Sequence, residues 1–404
     1  MRILQFSAER FRSLRSVSNW QPGALNVLIG PNASGKSNVL RALDFLAASA
    51  QGRLSKTVQS VGGMEPLLWD GRDDDFGLSL NWSPKSSNVD ESEMELNYGL
   101  VLRRKGRGGD FDVVSEALDI SEPRPKNGNE RVYGAPWRML DRRGTNIMIY
   151  DSGGAEKNYT PEDVPPQESM LSLAKGPFFK NTVLTKFRAE LAGFTVYHDF
   201  HTNRDASIRQ PAVTRYEERV DSDGQNLVSV LHTLYTGNRD FKNEVNDAMT
   251  AAFGPDFEEL VFPPASDQRT QLRIRWRSLQ RAQSAAELSD GTLRFLFLLS
   301  VLASPDPAPV IAIDEPETGL HPSMLPIIAE FAVEASRKTQ VFLTTHSPQL
   351  LDAFTGTRPT TTVVTREAGE TRLVRLDETE LNRWLEEYTL GSLHQSGELE
   401  GMAS

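Results

Sequence analysis

The segment Gly30-Pro31-Asn32-Ala33-Ser34-Gly35-Lys36-Ser37 restricts what this chain can fold into more than any other. An apolar run, Leu25-Asn26-Val27-Leu28-Ile29, leads into it. A helical pattern from Asn38 to Ala50 follows, with Val39, Leu40, Leu43 and Leu46 on one face. A strand, a glycine-rich turn and an amphipathic helix, in that order, make a cradle for phosphate. Gly30 and Gly35 allow backbone conformations and close approaches that a Cβ would hinder. The loop N–H groups and the helix N-terminus then face an anion, which the helix dipole favours. In such a cradle Lys36 reaches the β- and γ-phosphates of a nucleotide, and the Ser37 hydroxyl ligates Mg²⁺. A glycine turn that merely opens a helix would need neither flank.

Three later segments fall in an order that suits this chemistry. Val310-Ile311-Ala312-Ile313 is a short apolar run between Pro309 and Pro316 that ends in Asp314-Glu315. It reads as a strand buried on both faces of a parallel sheet. Asp314 at its carboxyl end would hold Mg²⁺ through water, and Glu315 would polarise the attacking water as general base. The bland alternative is a pair of solvated acids. Val341-Phe342-Leu343-Thr344-Thr345 is a second such strand, closed by His346. A lone histidine is usually structural. One placed directly after a strand, about one βα unit beyond the paired acids, reads better as a sensor of the γ-phosphate. Upstream, Leu288-Ser289-Asp290-Gly291-Thr292 opens an apolar helix, Leu293 to Leu302. Ser289 is suited to cap it, and Gly291 exposes backbone N–H groups.

On these residues the chain resembles the SMC-like, RecF/OLD-type ABC ATPases of bacterial DNA-repair and phage-defence operons. The resemblance is carried by Glu9-Arg10-Phe11-Arg12-Ser13-Leu14, the loop from Gly30 to Asn38, and Leu288–Thr292. It continues in Asp314-Glu315-Pro316-Glu317-Thr318-Gly319-Leu320-His321-Pro322 and Thr345-His346-Ser347-Pro348. It covers both ends of the chain and leaves the middle poorly matched. It implies an α/β fold, an ABC-type P-loop ATPase head with a β-rich elaborated ATP lobe and a helical signature lobe. It also implies that ATP is bound by Arg12, Asn32, Ala33, Ser34, Gly35, Lys36, Ser37 and Asn38. Mg²⁺ is then held by Ser37, Asp314 and a glutamine, for which Gln210 in Ile208-Arg209-Gln210-Pro211 is the candidate. Ser289 and Gly291 are expected to cap the γ-phosphate bound by the opposite copy of a homodimer or higher homo-oligomer. Glu315 and His346 are the expected catalytic pair. Asp290 stands where the family carries a small residue. His321 lies in the region where transporter ATPases carry an aspartate, which points away from transport.

Composition limits the partners. A formal net charge of −11 argues against an overall nucleic-acid-binding surface. Local contact with DNA would fall to two basic patches, Arg103-Arg104-Lys105 with Arg107, and Arg138 with Arg142-Arg143; a charged hairpin tip is more often just solvated. The absence of cysteine excludes disulfides and Cys-ligated zinc and fits a cytoplasmic protein. No run approaches the ~18 apolar residues of a membrane span, and Met1–Ala8 does not resemble a secretory signal.

Three parts are expected: an ATP-binding lobe over 1–200, with a β-rich insertion at about 51–195; a helical lobe over 201–305; and the rest of the core over 306–404. Within the insertion, Phe76–Trp82, Glu93–Leu102, Phe111–Val114 and Asn146–Tyr150 read as strands. Ser115–Asn129 and Asp151–Glu168 read as loops. Residues 170–192 read as helical and Phe194–Phe200 as a strand, and helices dominate from Asn226. No sustained heptad pattern between Glu217 and Ser284 supports coiled-coil arms. OLD-type nucleases carry a Toprim domain after the histidine strand. The 58 residues beyond His346 are too few for one, since it needs roughly a hundred. The closing stretch from Trp384 to Leu393 is either core or a docking site, with core favoured. Three functions stay open: an ATPase signalling to DNA or to a separately encoded effector, such as a nuclease; the nucleotide subunit of a transporter; and a nucleotide-gated scaffold with little turnover.

Overall fold

Alternating apolar residues turn much of the first half of the chain into antiparallel sheet. In the computed structural model, residues 2–71, 73–83, 94–106, 109–121, 123–125, 131–133, 136–150, 156–160, 162–175, 181–198, 200–266 and 268–403 are described. They divide into two compact units: Met1–Gly23, Ile29–Phe194 and Thr362–Arg375 in one, and Ala24–Leu28, Thr195–Thr361 and Leu376–Ser404 in the other.

The first unit holds an eight-stranded antiparallel sheet. Its order runs Glu156–Tyr159, Asn146–Tyr150, Trp137–Arg143, Phe111–Ser121, Glu95–Arg104, Asp75–Ser83, Arg2–Phe11 and Leu14–Trp20. Asp75–Ser83 alternates strictly, with Phe76, Leu78, Leu80 and Trp82 buried. The helix Lys36–Gln51 packs on this sheet through Phe45, whose ring lies 6.0 Å from that of Phe11 and 5.3 Å from that of Phe76. Strand Phe111–Ser121 runs well past the expected end at Val114, into residues read as loop. A bulge explains the difference. Val101 faces Ser115 while Leu102 faces Val113, so Val114 is an extra residue. The buried set then shifts from Phe111 and Val113 to Glu116, Leu118 and Ile120. A period-2 reading breaks at that point. Part of the second expected loop is also strand, Glu156–Tyr159, whereas Glu93, Asn129 and residues 151–155 lie outside the described residues.

Glu116 is wholly buried at this shifted position. Its carboxylate accepts hydrogen bonds from the Tyr98 hydroxyl (3.0 Å), the Ser169 hydroxyl (2.6 Å) and the backbone N–H groups of Met170 (2.7 Å) and Leu171 (3.0 Å). Arg142, also buried, donates to the carbonyls of Pro166 and Glu168. Together they bind the 166–173 segment to the sheet. The stretch read as one helix over 170–192 is a 3-10 turn, Met170–Leu173, and a helix, Thr182–Ala192; residues 176–180 lie outside the described set.

The second unit is built on parallel strands: Thr195–Tyr197, Val310–Ile313, Gln340–Thr344 and Leu25–Ile29, in that order, the last belonging to this unit through Leu28. Val310–Ile313 and Gln340–Thr344 are buried throughout, as continuous apolar runs in a covered parallel sheet should be. Thr195–Tyr197 is shorter than the expected 194–200 strand. Helices Leu227–Gly237, Arg239–Phe253 and Asp290–Leu302 form as expected. The residues between the last two do not. Phe257–Val261, Arg273–Trp276 and Gln283–Ser284 make a small antiparallel sheet, so the 201–305 segment is not purely helical. In the tail, Leu390, Leu393 and Leu399 are buried while Trp384 and Tyr388 remain at the surface. Gly391 packs so closely on the helix Pro348–Phe354 that a Cβ would stand 2.3 Å from the Pro348 carbonyl. Among the described residues no helix is long and apolar enough to cross a membrane.

Replacing Glu116 with glutamine turns one acceptor oxygen into a donor facing other donors. Glu116→Gln is therefore expected to lose roughly 2–4 kcal/mol of stability, read as a lower denaturation midpoint in urea. A midpoint equal to wild type would remove Glu116 from this structural role.

Candidate active site

The phosphate loop is shaped by what stands against its glycines. Gly30 has φ 144° and Gly35 has φ 108°. A Cβ on Gly30 would stand 2.1 Å from the Val364 carbonyl oxygen, and one on Gly35 would stand 2.1 Å from Oγ1 of Thr371. No other residue fits either position. Ala33 is also left-handed, at φ 63°. Lys36 opens the helix, is buried, and donates its Nζ protons to the carbonyls of Gly30 (2.7 Å) and Pro31 (3.1 Å). Asn32 and Ala33 are exposed and Ser37 is half-buried. Ser34 is buried, and its Oγ has no hydrogen-bond partner. Asn38 donates to the Ser13 hydroxyl at 2.7 Å.

Arg12 sits in the turn between the first two strands at φ 52°, with its backbone N–H bonded to the Leu67 carbonyl. Its Nε is buried without a partner. Burial, and then the charge of Arg41, lower its pKa. Arg12, Lys36, Ser37, Asn38, Trp69 and Arg366 line one cleft of about 650 Å³, within the range of small-molecule sites. The glycine-walled loop and the two orphaned polar atoms, Arg12 Nε and Ser34 Oγ, fit a polyanionic nucleotide.

In the second unit the paired acids are ordered by a threonine. Thr344 Oγ1 donates to Asp314 Oδ1 and accepts from the Glu315 N–H at 3.0 Å. The other Asp314 oxygen lies 3.3 Å from Nδ1 of His198. Glu315 has φ 47°; a non-glycine residue there stores of order 1–3 kcal/mol of strain, as functional positions do. Its carboxylate is 3.2 Å from Nδ1 of His346. Glu317 lies near the same ring nitrogen, 3.7 Å away, and accepts from the His346 backbone N–H (3.2 Å) and from the Thr345 hydroxyl (2.6 Å). A carboxylate oriented by a histidine that is itself fixed has the geometry of a general base with its orienting group. Among the described residues no set of three or more His, Asp or Glu side chains gathers to hold a metal. Mg²⁺ needs no such set, since it takes few protein ligands and completes its shell with phosphates and water, and the Asp314 carboxylate is of the chemistry that it takes.

The structure does not bring Gln210 to Asp314. Gln210 is exposed at the end of the turn Ser207–Arg209, with its N–H bonded to the Ser207 carbonyl. Its neighbour Arg209 turns the other way. The Arg209 guanidinium donates to the carbonyls of Ala285 (3.1 Å) and Leu288 (2.8 Å) and to the Asp290 carboxylate (2.5 Å). Hydrogen bonding from Arg209 holds the Asp290 carboxyl below its usual range. The acid that departs from the family pattern is thus neutralised within the chain. Ser289 caps the helix by accepting from the Thr292 N–H. Gly291 packs on the loop after the paired acids, where a Cβ would stand 2.8 Å from the Gly319 carbonyl.

Reading the sequence missed His198, Arg209, Glu317, Thr344 and Thr371. His198 carried a usable signal: it follows Thr195–Tyr197 directly, much as His346 follows its own strand. The basic patches are largely paired with acids. Arg103 bonds Asp75, Arg104 bonds Asp74 and Lys105 lies 3.7 Å from Asp112. Arg138 bonds Asp119 and Asp141, and Arg143 bonds Asp141. Arg107 lies outside the described residues.

A glycine-walled loop ending in a buried lysine, paired acids after a parallel strand and a capped signature helix define a P-loop ATPase of the ABC type. Residues 25–156 and 177–352 match the family described as "AAA domain, putative AbiEii toxin, Type IV TA system", and the chain belongs to that family. No curated protein matches it. Among solved structures it is similar to an SMC head bound to the C-winged helix domain of ScpA, with 13% identity and a TM-score of 0.57 over 94% of this chain and 99% of that one. It is also similar to the SMC head with an extended coiled coil bound to the C-terminal domain of ScpA derived from Pyrococcus furiosus, with 14% identity and a TM-score of 0.53 over 95% and 98%. The fold expected from the sequence, an SMC-head ABC-type ATPase, is the fold found.

Thr344→Val keeps the shape of the side chain and removes the hydroxyl shared by Asp314 and Glu315. Phosphate release from ATP is expected to fall about 10- to 100-fold, as for other groups that orient a metal ligand, and Thr344→Ser to recover most of it. Wild-type turnover by Thr344→Val would show that the hydroxyl orders nothing that matters.

Proposed function

We propose that this chain is a Mg²⁺-dependent ATPase whose turnover drives the pairing and release of two copies. Arg12 and the residues from Asn32 to Asn38 bind the nucleotide. Ser37 and Asp314 serve the Mg²⁺, with His198 taking the place beside Asp314 that Gln210 was expected to fill. Glu315 takes the proton of the attacking water, and His346 orients Glu315 and senses the γ-phosphate. The observation that carries this reading is the strained Glu315, held at its backbone by Thr344 and at its carboxylate by His346. By role rather than by compactness, 1–200 bind ATP, 201–305 present the signature, and 306–404 supply the acids and the histidine.

Ser289 and Gly291 act on the nucleotide of the opposite copy. Supporting this is the way the signature start is prepared: its helix is capped, its carbonyls are clamped by Arg209 and its one acid is neutralised. Such a surface accepts a phosphate anion at a helix N-terminus. Opening and closing then signal to a separately encoded effector, such as a nuclease, or to DNA. The family's description as a putative toxin of a type IV system favours a defence output over transport. The pairing of Arg103, Arg104, Arg138 and Arg143 with acids favours a protein effector over DNA contact through those patches.

Action across two copies has a direct test. Ser289→Arg and Lys36→Ala are each expected to be inactive alone. Mixed, they form heterodimers with one intact composite site, and phosphate release should partly recover. No recovery, with heterodimers demonstrated by light scattering or cross-linking, would contradict a shared site that fires singly.

A further inference from the structure

The phosphate loop is backed at both glycines by a hairpin from the far end of the sequence. Strands Thr360–Glu367 and Glu370–Arg375 pair antiparallel, with Val364 facing Leu373 and Thr365 facing Arg372. Val364 presents its carbonyl to Gly30, and Thr371 presents its side chain to Gly35. Thr371 is buried and makes three contacts. Its N–H donates to the Ser13 carbonyl at 2.8 Å, its Oγ1 lies 2.6 Å from Oγ of Ser13, and the same Oγ1 lies 2.7 Å from the Ser34 carbonyl oxygen.

The direction of these bonds follows from counting protons. A carbonyl only accepts, so the Thr371 hydroxyl is the donor toward Ser34. It is the donor toward the Ser13 hydroxyl as well, so its one proton is shared between the two. Ser13 in turn accepts from the Asn38 amide at 2.7 Å. The result is a connected set, in which the Ser13 hydroxyl accepts from both Asn38 and Thr371 and Thr371 also donates to the Ser34 carbonyl. It starts on the first turn of the loop helix and ends within the loop, passing through the N-terminal hairpin and the C-terminal hairpin. Fixing the Ser34 carbonyl fixes the peptide plane that carries the Gly35 N–H, one of the backbone donors of the loop.

We propose that Thr371 is a positioning residue for nucleotide binding, acting through the Ser34–Gly35 peptide. The hairpin 360–375 is then part of the phosphate site rather than a tail. The inference rests on the reading of the loop as a nucleotide cradle and adds to it the residue that sets the loop's shape.

The test titrates a fluorescent ATP analogue, mant-ATP, with Mg²⁺ into the full chain as wild type, Thr371→Val and Thr371→Ser, alongside nucleotide-free melting. Thr371→Val leaves the Ser34 carbonyl and the Ser13 hydroxyl short of a partner, so its Kd is expected to rise about tenfold or more. Thr371→Ser keeps the donor hydroxyl and should bind within about threefold of wild type. A purely structural role would lower the melting temperature of Thr371→Val and leave the Kd of the folded protein alone. Wild-type binding matched within twofold by Thr371→Val overturns this inference and leaves the nucleotide reading standing. No saturable binding by folded wild type overturns both. If Thr371→Val does not fold, Thr371→Ala removes the same hydroxyl with less bulk, and binding within twofold of wild type by that variant overturns the inference.

Discussion

The active-site architecture begins with a steric fact: two positions in the phosphate loop have no room for a Cβ. Val364 and Thr371 occupy the space that a side chain at Gly30 or Gly35 would need. The loop can curl against that wall only with glycine at both places, and curling turns its N–H groups toward one point. Lys36 follows Gly35 at the head of the helix, and its ammonium donates to the loop's own carbonyls. Arg12 is set beside this loop by its own left-handed backbone and by its bond to Leu67, and its buried Nε is left without a partner. Positive charge is gathered here in a chain whose net charge is strongly negative. That contrast is what an anion site in an acidic protein requires.

The acidic half follows a different logic. Thr344 ends one parallel strand and ties together two consecutive residues that end its neighbour, Asp314 by the carboxylate and Glu315 by the backbone. This leaves Glu315 in a left-handed conformation that most residues avoid, with its carboxylate directed to His346. Strain of this kind persists only where surrounding contacts over-determine it, and here Thr344, His346 and Glu317 do so. The Arg209 clamp resolves the one conspicuous oddity of the signature. Asp290 would repel a phosphate if its charge were free, and Arg209 takes up that charge while holding the carbonyls that precede the helix.

Much of this was legible from local pattern. The loop, both apolar strands and the capped signature helix each announce themselves within about ten residues, because strand burial, glycine and capping chemistry are local signals. Other features depended on contacts between distant segments. Thr371 reads as an ordinary strand threonine until the fold sets it against residues 13 and 34. Gln210 is exposed at the end of a turn, and the contact of His198 with Asp314 joins segments more than a hundred residues apart, which no local pattern shows. The strand Phe111–Ser121 was cut short because the bulge at Val114 changes which residues face inward, and the first of the new set is a buried glutamate. The strands between 257 and 284 are two to five residues long, too short to show a period.

The proposed function stands on Glu315 as the group that activates water. The measurement that reaches this most directly is phosphate release and ATP binding by Glu315→Gln, side by side with wild type in Mg²⁺. The substitution keeps the size of the side chain and removes its basicity. Binding is expected to persist while turnover falls about 10²–10⁴-fold. Hydrolysis by Glu315→Gln at the wild-type rate would contradict the account.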